Sequence, residues 1–270
     1  MALDKPNFLI VGVQKAGTTF LAKALAEHPE VYFSTPKEVF FFNREKLNRQ
    51  DFNVYLFDHF QGSSSHRWRG EGSTNYFHHP FAMRHIQRLL GSETRIIVCL
   101  RHPVERLLSH YLHDYRRGRR RGDEVLQAES FAGYSARSFY YDRLRAWRRR
   151  FPYFQTMIFD DLIDSGVSYF KQACDFLEIA PQHIEDRPVN EGMRLIWDGD
   201  VLTLLGKAGS DQVPPRFSRS DIEELVGHYC EDVSKTEDLL GISLAAWSEM
   251  PNFGNLDQKF GSERSRREAR

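Results

Sequence analysis

Phe8-Leu-Ile-Val-Gly-Val-Gln-Lys-Ala-Gly-Thr-Thr19 decides the fold of this 270-residue chain. Phe8 to Val13 is an apolar run rich in β-branched and aromatic residues and broken only by Gly12, the pattern of a strand buried in a parallel sheet. The chain then enters a tight polar turn, Gln14-Lys15-Ala16-Gly17-Thr18-Thr19. A helical pattern follows, with Phe20, Leu21, Ala24 and Leu25 on one face. Strand, glycine-bearing turn and helix N-terminus together make an anion site, because backbone N–H groups and the positive end of the helix dipole converge there. Gly12 and Gly17 have the spacing of a nucleoside-triphosphate loop, but Thr18 stands where that motif needs lysine. The lysine comes earlier, at Lys15. The turn is therefore expected to grip a phosphate without being built for magnesium–ATP.

A second strand-to-helix junction repeats the arrangement. Thr94 to Leu100 reads as a core strand that closes on Arg101, and Pro103 opens a helix running to about Arg117, at a position where its missing N–H costs nothing. In an open α/β sheet, ligands collect outside the carboxyl ends of the strands, which is where both Lys15 and Arg101 fall. A forked guanidinium suits a phosphate monoester, and Ser109, two helical turns further on, can add a hydroxyl.

Between and beyond these junctions, strands are expected at 31–33, 68–71 and 154–159. Helices are expected at 18–28, 50–60, 81–90, 136–150, 167–178 and 219–239, the last capped by Ser218 or Ser220. Asp160-Asp161 reads as the start of a turn. The alternation predicts an α/β fold, a P-loop-like three-layer domain with a central parallel sheet flanked by helices. One domain is expected over residues 1–260, with a disordered polar tail at 261–270. From 188 to 217, glycines and prolines interrupt any period, and that segment is expected to be a mobile lid.

With these motifs in place, the chain resembles the sulfotransferases that use 3′-phosphoadenosine 5′-phosphosulfate (PAPS). Lys15-Ala-Gly-Thr-Thr19 looks like their 5′-phosphosulfate loop, and Arg95 to Tyr111 looks like their 3′-phosphate site, with Arg101 and Ser109 as its ligands. The stretch Lys37-Glu38-Val39-Phe40-Phe41-Phe42 is similar to the heparan-sulfate and related carbohydrate enzymes. The resemblance implies sulfuryl transfer from PAPS to a hydroxyl of a carbohydrate or other small acceptor, leaving PAP (3′-phosphoadenosine 5′-phosphate) and requiring no metal. It implies that Lys15 stabilises the departing phosphate. It also implies that Thr18 and Thr19 either donate hydroxyls to that phosphate or cap the helix, that backbone at Ala16 and Gly17 closes the loop, and that Glu38 is the general base, its carboxylate desolvated by flanking aromatics. His78 and His79 are the alternative bases, since small-molecule sulfotransferases draw a histidine from this part of the fold. The heparan-type enzymes carry a second lysine near here, where this chain offers Phe81 and Arg84. Lys207 and Arg216 are candidates for a loop covering the donor.

Bulk properties narrow the alternatives. Lys and Arg total 37, as do Asp and Glu, so no net field draws the chain to nucleic acid or a membrane. Arg116, Arg117, Arg119, Arg120 and Arg121 form one local cluster; Arg143, Arg145, Arg148, Arg149 and Arg150 form another. Each is either a solvated face or a dock for an anionic acceptor. Cys99, Cys174 and Cys230 are far apart and fit no metal or disulfide spacing. No apolar run reaches the length of a membrane span, and the chain meets its first strand at once, so a cytoplasmic location is expected. Two rival readings stand beside this one: a P-loop kinase, for which only Asp160-Asp161 offers magnesium ligands, and a nucleotide- or polyanion-binding module without catalysis.

Overall fold

The first strand, β1 (Phe8–Gly12), runs through the middle of a five-stranded parallel sheet and is buried along its whole length. The computed structural model describes residues 4–119, 128–184, 194–205 and 214–253. After β1 come α1 (Thr18–Ala26), β2 (Val31–Phe33), α2 (Arg49–Phe60), β3 (Trp68–Gly72), α3 (Ala82–Leu90), β4 (Arg95–Leu100) and α4 (Pro103–Arg116). The chain continues through α5 (Ala128–Ser135), α6 (Tyr141–Arg148), β5 (Phe154–Ile158), α7 (Phe159–Asp164) and α8 (Gly166–Leu177). The sheet order is β2-β3-β1-β4-β5. Phe8 pairs with Gly70 on one side and Arg95 on the other. A strand with neighbours on both edges and helices over the sheet has no solvent face, which is why Phe8 to Val11 carry no polar alternation. α1 lies against β1 and β2, and α8 lies against α1 and β5. The expected α/β architecture, a central parallel sheet flanked by helices, is the one observed.

The remaining elements are β6 (Arg194–Asp198), β7 (Val201–Leu205), β8 (Arg216–Ser218) and α9 (Arg219–Leu240). They correct the expectation of an aperiodic lid over 188–217, because the described part of that segment is an antiparallel sheet ordered β6-β7-β8. Asp198 pairs with Val201, so Gly199-Asp200 is the two-residue connection of a hairpin, and Gly199 has the left-handed φ of 58° that such a turn needs. Ser218 caps α9 in a reciprocal capping box with Asp221, as the sequence pattern implied.

Two further differences are local. Asp160-Asp161 is not a turn but the first turn of α7, which starts directly at the end of β5. The expected 136–150 helix is split into a 3₁₀ turn at Ala136–Ser138 and α6, with α5 preceding them. The backbone N–H groups of Tyr140 and Tyr141 at the break are taken by the Asp232 carboxylate, which holds the interruption open.

The chain divides into two compact units, with boundaries at Arg101/His102, Tyr141/Asp142 and Val189/Asn190. The first unit holds the parallel sheet. The second holds α4, α5, the antiparallel sheet and α9. In the second unit Arg106 is wholly buried, its guanidinium donating to the Ser138 hydroxyl and the Tyr134 carbonyl, so it is a structural residue that ties α4 to the 134–138 turn.

Candidate active site

The carboxyl ends of β3, β1 and β4 lie side by side in the first unit, and three loops leave from them. Gly12, at the end of β1, has a φ of +149°, and a Cβ there would stand 2.7 Å from the Thr74 carbonyl oxygen. The phosphate loop is thereby pressed against the loop that follows β3. Lys15 holds a left-handed φ of 74° although it is not glycine. Strain of this kind persists only where the surrounding structure fixes it, and it concentrates at binding sites. Gly17 also has a positive φ, +81°, and a Cβ would come within 2.7 Å of Leu162 in α7, so both the backbone and the space demand glycine.

Gly17 is the N-cap of α1, and no side chain caps that turn. The alternative in which Thr18 or Thr19 caps the helix is therefore not the one adopted. Thr18 is buried, Thr19 is exposed and Ala16 is fully buried under the loop. Lys15 is half-buried. Its carbonyl accepts a hydrogen bond from a terminal nitrogen of Arg101 at 3.3 Å, and the Arg101 guanidinium lies 4.4 Å from the centre of the Phe159 ring. The two candidate phosphate ligands, expected from separate motifs, thus meet at the carboxyl end of the sheet. The ring contact holds the guanidinium flat without neutralising it.

Glu38 reaches the same region from the loop after β2. Its carboxylate accepts the Thr74 N–H at 3.2 Å and the Thr74 hydroxyl at 2.8 Å, and the Lys37 ammonium stands 3.2 Å from Oε1. Lys37 and Glu38 are 17% and 21% exposed, so the pair is sheltered but open to a ligand. The expectation that aromatics line the carboxylate needs correcting. Phe41 and Phe42 turn into the core, where Phe41 stacks on Tyr55 and Phe42 packs edge-on against Tyr76, and Phe40 is 42% exposed. The groups that hold Glu38 are polar.

Lys37 was legible only as a charged neighbour. Its stem runs over Gly72, where a Cβ would stand 3.3 Å from Cε. A bare strand end therefore lets this lysine into the site, in a chain that has Phe81 and Arg84 where a second lysine was sought. Thr74 and Glu71 were also missed. The signal available was Gly70-Glu71-Gly72, a carboxylate between glycines at the end of a buried strand. Glu71 is wholly buried, and burial pushes its carboxyl up to about 7, against the opposing hydrogen bonds of Ser73, Tyr76 and Tyr55 and with the Glu38 charge adding to the rise.

His78 packs edge-on against Phe77, and His79 lies edge-on against Phe81 and accepts its N–H at 3.5 Å. Burial lowers the His79 imidazole below its ordinary range, which favours a neutral ring. Ser109 is half-buried on α4 and Arg216 is exposed on β8, both in the second unit. Lys207 lies outside the described residues. Among the described residues no group of three or more His, Cys, Asp or Glu is placed to hold a metal ion, and no helix is long and apolar enough to cross a membrane.

Comparison with known proteins bears on the family and the fold. Residues 5–197 match the sulfotransferase domain family. The membrane-associated sulfotransferase kil1 of Dictyostelium discoideum is 32% identical over 106 residues, 39% of this chain and 22% of that protein. The bifunctional heparan sulfate N-deacetylase/N-sulfotransferase 3 of Mus musculus is 28% identical over 279 residues, 90% of this chain and 31% of that protein. The chain thus spans a third or less of the length of these relatives. A crystal structure of a sulfotransferase from Alicyclobacillus acidocaldarius superposes with a TM-score of 0.70 at 23% identity, covering 91% of this chain and all of that one. The chain belongs to the sulfotransferase domain family, a family that uses PAPS as its sulfuryl donor.

Proposed function

We propose that the enzyme transfers the sulfuryl group of PAPS to a hydroxyl of a carbohydrate-like acceptor, with Glu38 as general base. The observation that carries this reading is the convergence of Lys15, Arg101 and Glu38 at the carboxyl ends of adjacent parallel strands, with a cation bonded to the loop on one side and a carboxylate on the other. The uncapped first turn of α1 and the Lys15 ammonium suit the 5′-phosphosulfate. Arg101, with Ser109 from the next helix of the chain, suits the 3′-phosphate.

In the reaction the acceptor oxygen forms a bond to sulfur as the bond between sulfur and the bridging phosphate oxygen breaks. The acceptor proton passes to Glu38 and PAP departs with the electron pair. Lys15 stabilises charge on the leaving phosphate, and Thr74 with Lys37 holds the Glu38 carboxylate towards the acceptor. Lys15 and Arg101 supply the positive charge around the phosphates.

Glu38→Gln tests the assignment, because it keeps the size of the side chain and removes its capacity to take a proton. Turnover is expected to fall by about 10²–10⁴-fold, the usual contribution of a positioned base, with PAP affinity close to wild type. His78→Asn and His79→Asn are expected to do much less. An active Glu38→Gln beside an inactive histidine variant would reassign the base.

A second reading concerns the acceptor atom. The murine relative is named as an N-sulfotransferase, and an amine nitrogen can replace the hydroxyl in the same in-line displacement. Paired oligosaccharides that differ only in a free or acetylated amine, offered with radiolabelled PAPS, separate the two. Label on the free-amine member alone assigns nitrogen; label on both assigns oxygen.

A further inference from the structure

Glu71 is a fully buried carboxylate with no part in the chemistry above, and it lies beneath the loop that carries the base. We propose that Glu71 is a positioning residue for sulfuryl transfer: its carboxylate orients the Ser73 and Tyr76 hydroxyls that hold residues 38–42, and so fixes where Glu38 stands. The Ser73 hydroxyl donates to Oε1, and the Tyr76 hydroxyl donates to Oε2 at 2.9 Å. Each of these oxygens also accepts from the loop: Ser73 takes the Phe40 N–H at 2.9 Å and Tyr76 takes the Phe42 N–H at 3.4 Å. Thr74, next to Ser73 in the chain, donates both its N–H and its hydroxyl to Glu38. Glu71 therefore braces the base loop at two backbone points, and the segment carrying its Ser73 partner grips the base itself.

The count of donors favours the ionised state, against the burial that opposes it. Three hydroxyls converge on Glu71, from Ser73, Tyr76 and, at 3.4 Å, Tyr55 of α2. An ionised carboxylate accepts all three, whereas a protonated one must itself donate and leaves a hydroxyl hydrogen without an acceptor in a dry site. The groups facing Glu71 are these hydroxyls and the Glu38 carboxylate, whose charge opposes ionisation. His85, from α3, contacts the same loop at the Phe42 carbonyl at 3.3 Å, and burial lowers its imidazole so that it favours the neutral form. With burial lifting Glu71 to about 7, the brace is fully set only above neutrality.

Turnover at saturating PAPS and acceptor is expected to rise through about pH 7 along a single-proton limb. Glu71→Gln is expected to remove that limb between about pH 6 and about pH 8 and to lower the plateau by about 10–100-fold, as misplacement of a catalytic group does. PAP affinity is expected to stay unchanged. Tyr55→Phe, which deletes one donor and no loop contact, is expected to move the limb to higher pH. Hydrogen exchange at the Phe40 and Phe42 amides, corrected for intrinsic rate, is expected to quicken as wild type is acidified and to be quick throughout in Glu71→Gln. If Glu71→Gln does not fold, Tyr55→Phe and Ser73→Ala carry the same test, the latter freeing the Phe40 amide. An unshifted limb, or loop amides indifferent to pH and to these substitutions, overturns the proposal. The activity arm rests on Glu38 being the base, while the exchange arm does not. An active Glu38→Gln with pH-dependent Phe40 exchange would refute the first reading and leave this one standing.

Discussion

Arg101 ties the phosphate loop to the start of α7. It donates to the Lys15 carbonyl and lies over the Phe159 ring. Arg101→Ala is expected to cost roughly 2–4 kcal/mol of PAP affinity, the scale of charged hydrogen bonds at a phosphate. The loss is expected to be much smaller for adenosine 5′-phosphosulfate, which lacks the 3′-phosphate, and calorimetry without magnesium reads both. Glu71 makes a different prediction, about stability. Its folded-state carboxyl sits at about 7 against an ordinary value of 4.5. Between those values the unfolded chain releases a proton that the folded chain keeps, so stability falls as pH rises through this window. The full effect is about 3 kcal/mol at most. Thermal unfolding of wild type between about pH 5 and about pH 7.5 should show this decline, and Glu71→Gln should lack it; parallel curves would mean that Glu71 titrates normally. Lys15 and Arg101 were legible because each follows an apolar strand, and Glu38 because it opens the aromatic run Val39 to Phe42 that carries the resemblance. Thr74 was not, because its role depends on β1 and β3 being neighbours, and nothing local in the sequence states that pairing.

At the scale of elements, the junction from β1 to α1 is the most constrained piece of the chain. Gly17→Ala places a methyl against Leu162 and forces an unfavourable left-handed backbone. It is expected to destabilise the protein by about 1–3 kcal/mol and to weaken PAP binding in the same variant. A loss of stability with PAP affinity intact would separate the turn from the donor site. The parallel sheet and its helices were readable because their apolar periods are long and unbroken. The antiparallel hairpin was not, since Gly199 and its neighbours Gly192 and Gly206 read as interruptions. Gly199-Asp200 is in fact the connector between two apolar runs, Leu195-Ile196-Trp197 and Val201 to Leu205. The same ambiguity hid α7. Asp160 and Asp161 look like turn formers, yet acidic residues in a first helical turn are favoured by the helix dipole.

For the molecule as a whole, zero formal charge conceals a basic surface. Arg143, Arg145, Arg148, Arg149 and Arg150 are all exposed on and just after α6, where Asp142 pairs with Arg145. That helix is anchored in the first unit by Trp147, whose indole N–H donates to the Phe77 carbonyl at 3.1 Å, three residues beyond the Thr74 that holds Glu38. If these arginines guide an anionic acceptor, its KM is expected to rise several-fold between about 0.05 and about 0.3 M salt, while a neutral sugar's stays level. Equal salt responses would reduce the cluster to a solvated face. The composition made the cluster visible, but its anchorage to the loop after β3 required the fold. The central position of β1 has a consequence for biosynthesis. This strand is made before both of its partners, which begin at residues 68 and 95, so both of its hydrogen-bonding edges stay open while they are made. At ordinary translation rates of about 5–20 residues per second, that interval is about 4–17 s. For that time an apolar segment of the nascent chain is a sticky ribbon, and Phe8–Val13 is the stretch that an Hsp70-type holdase should bind.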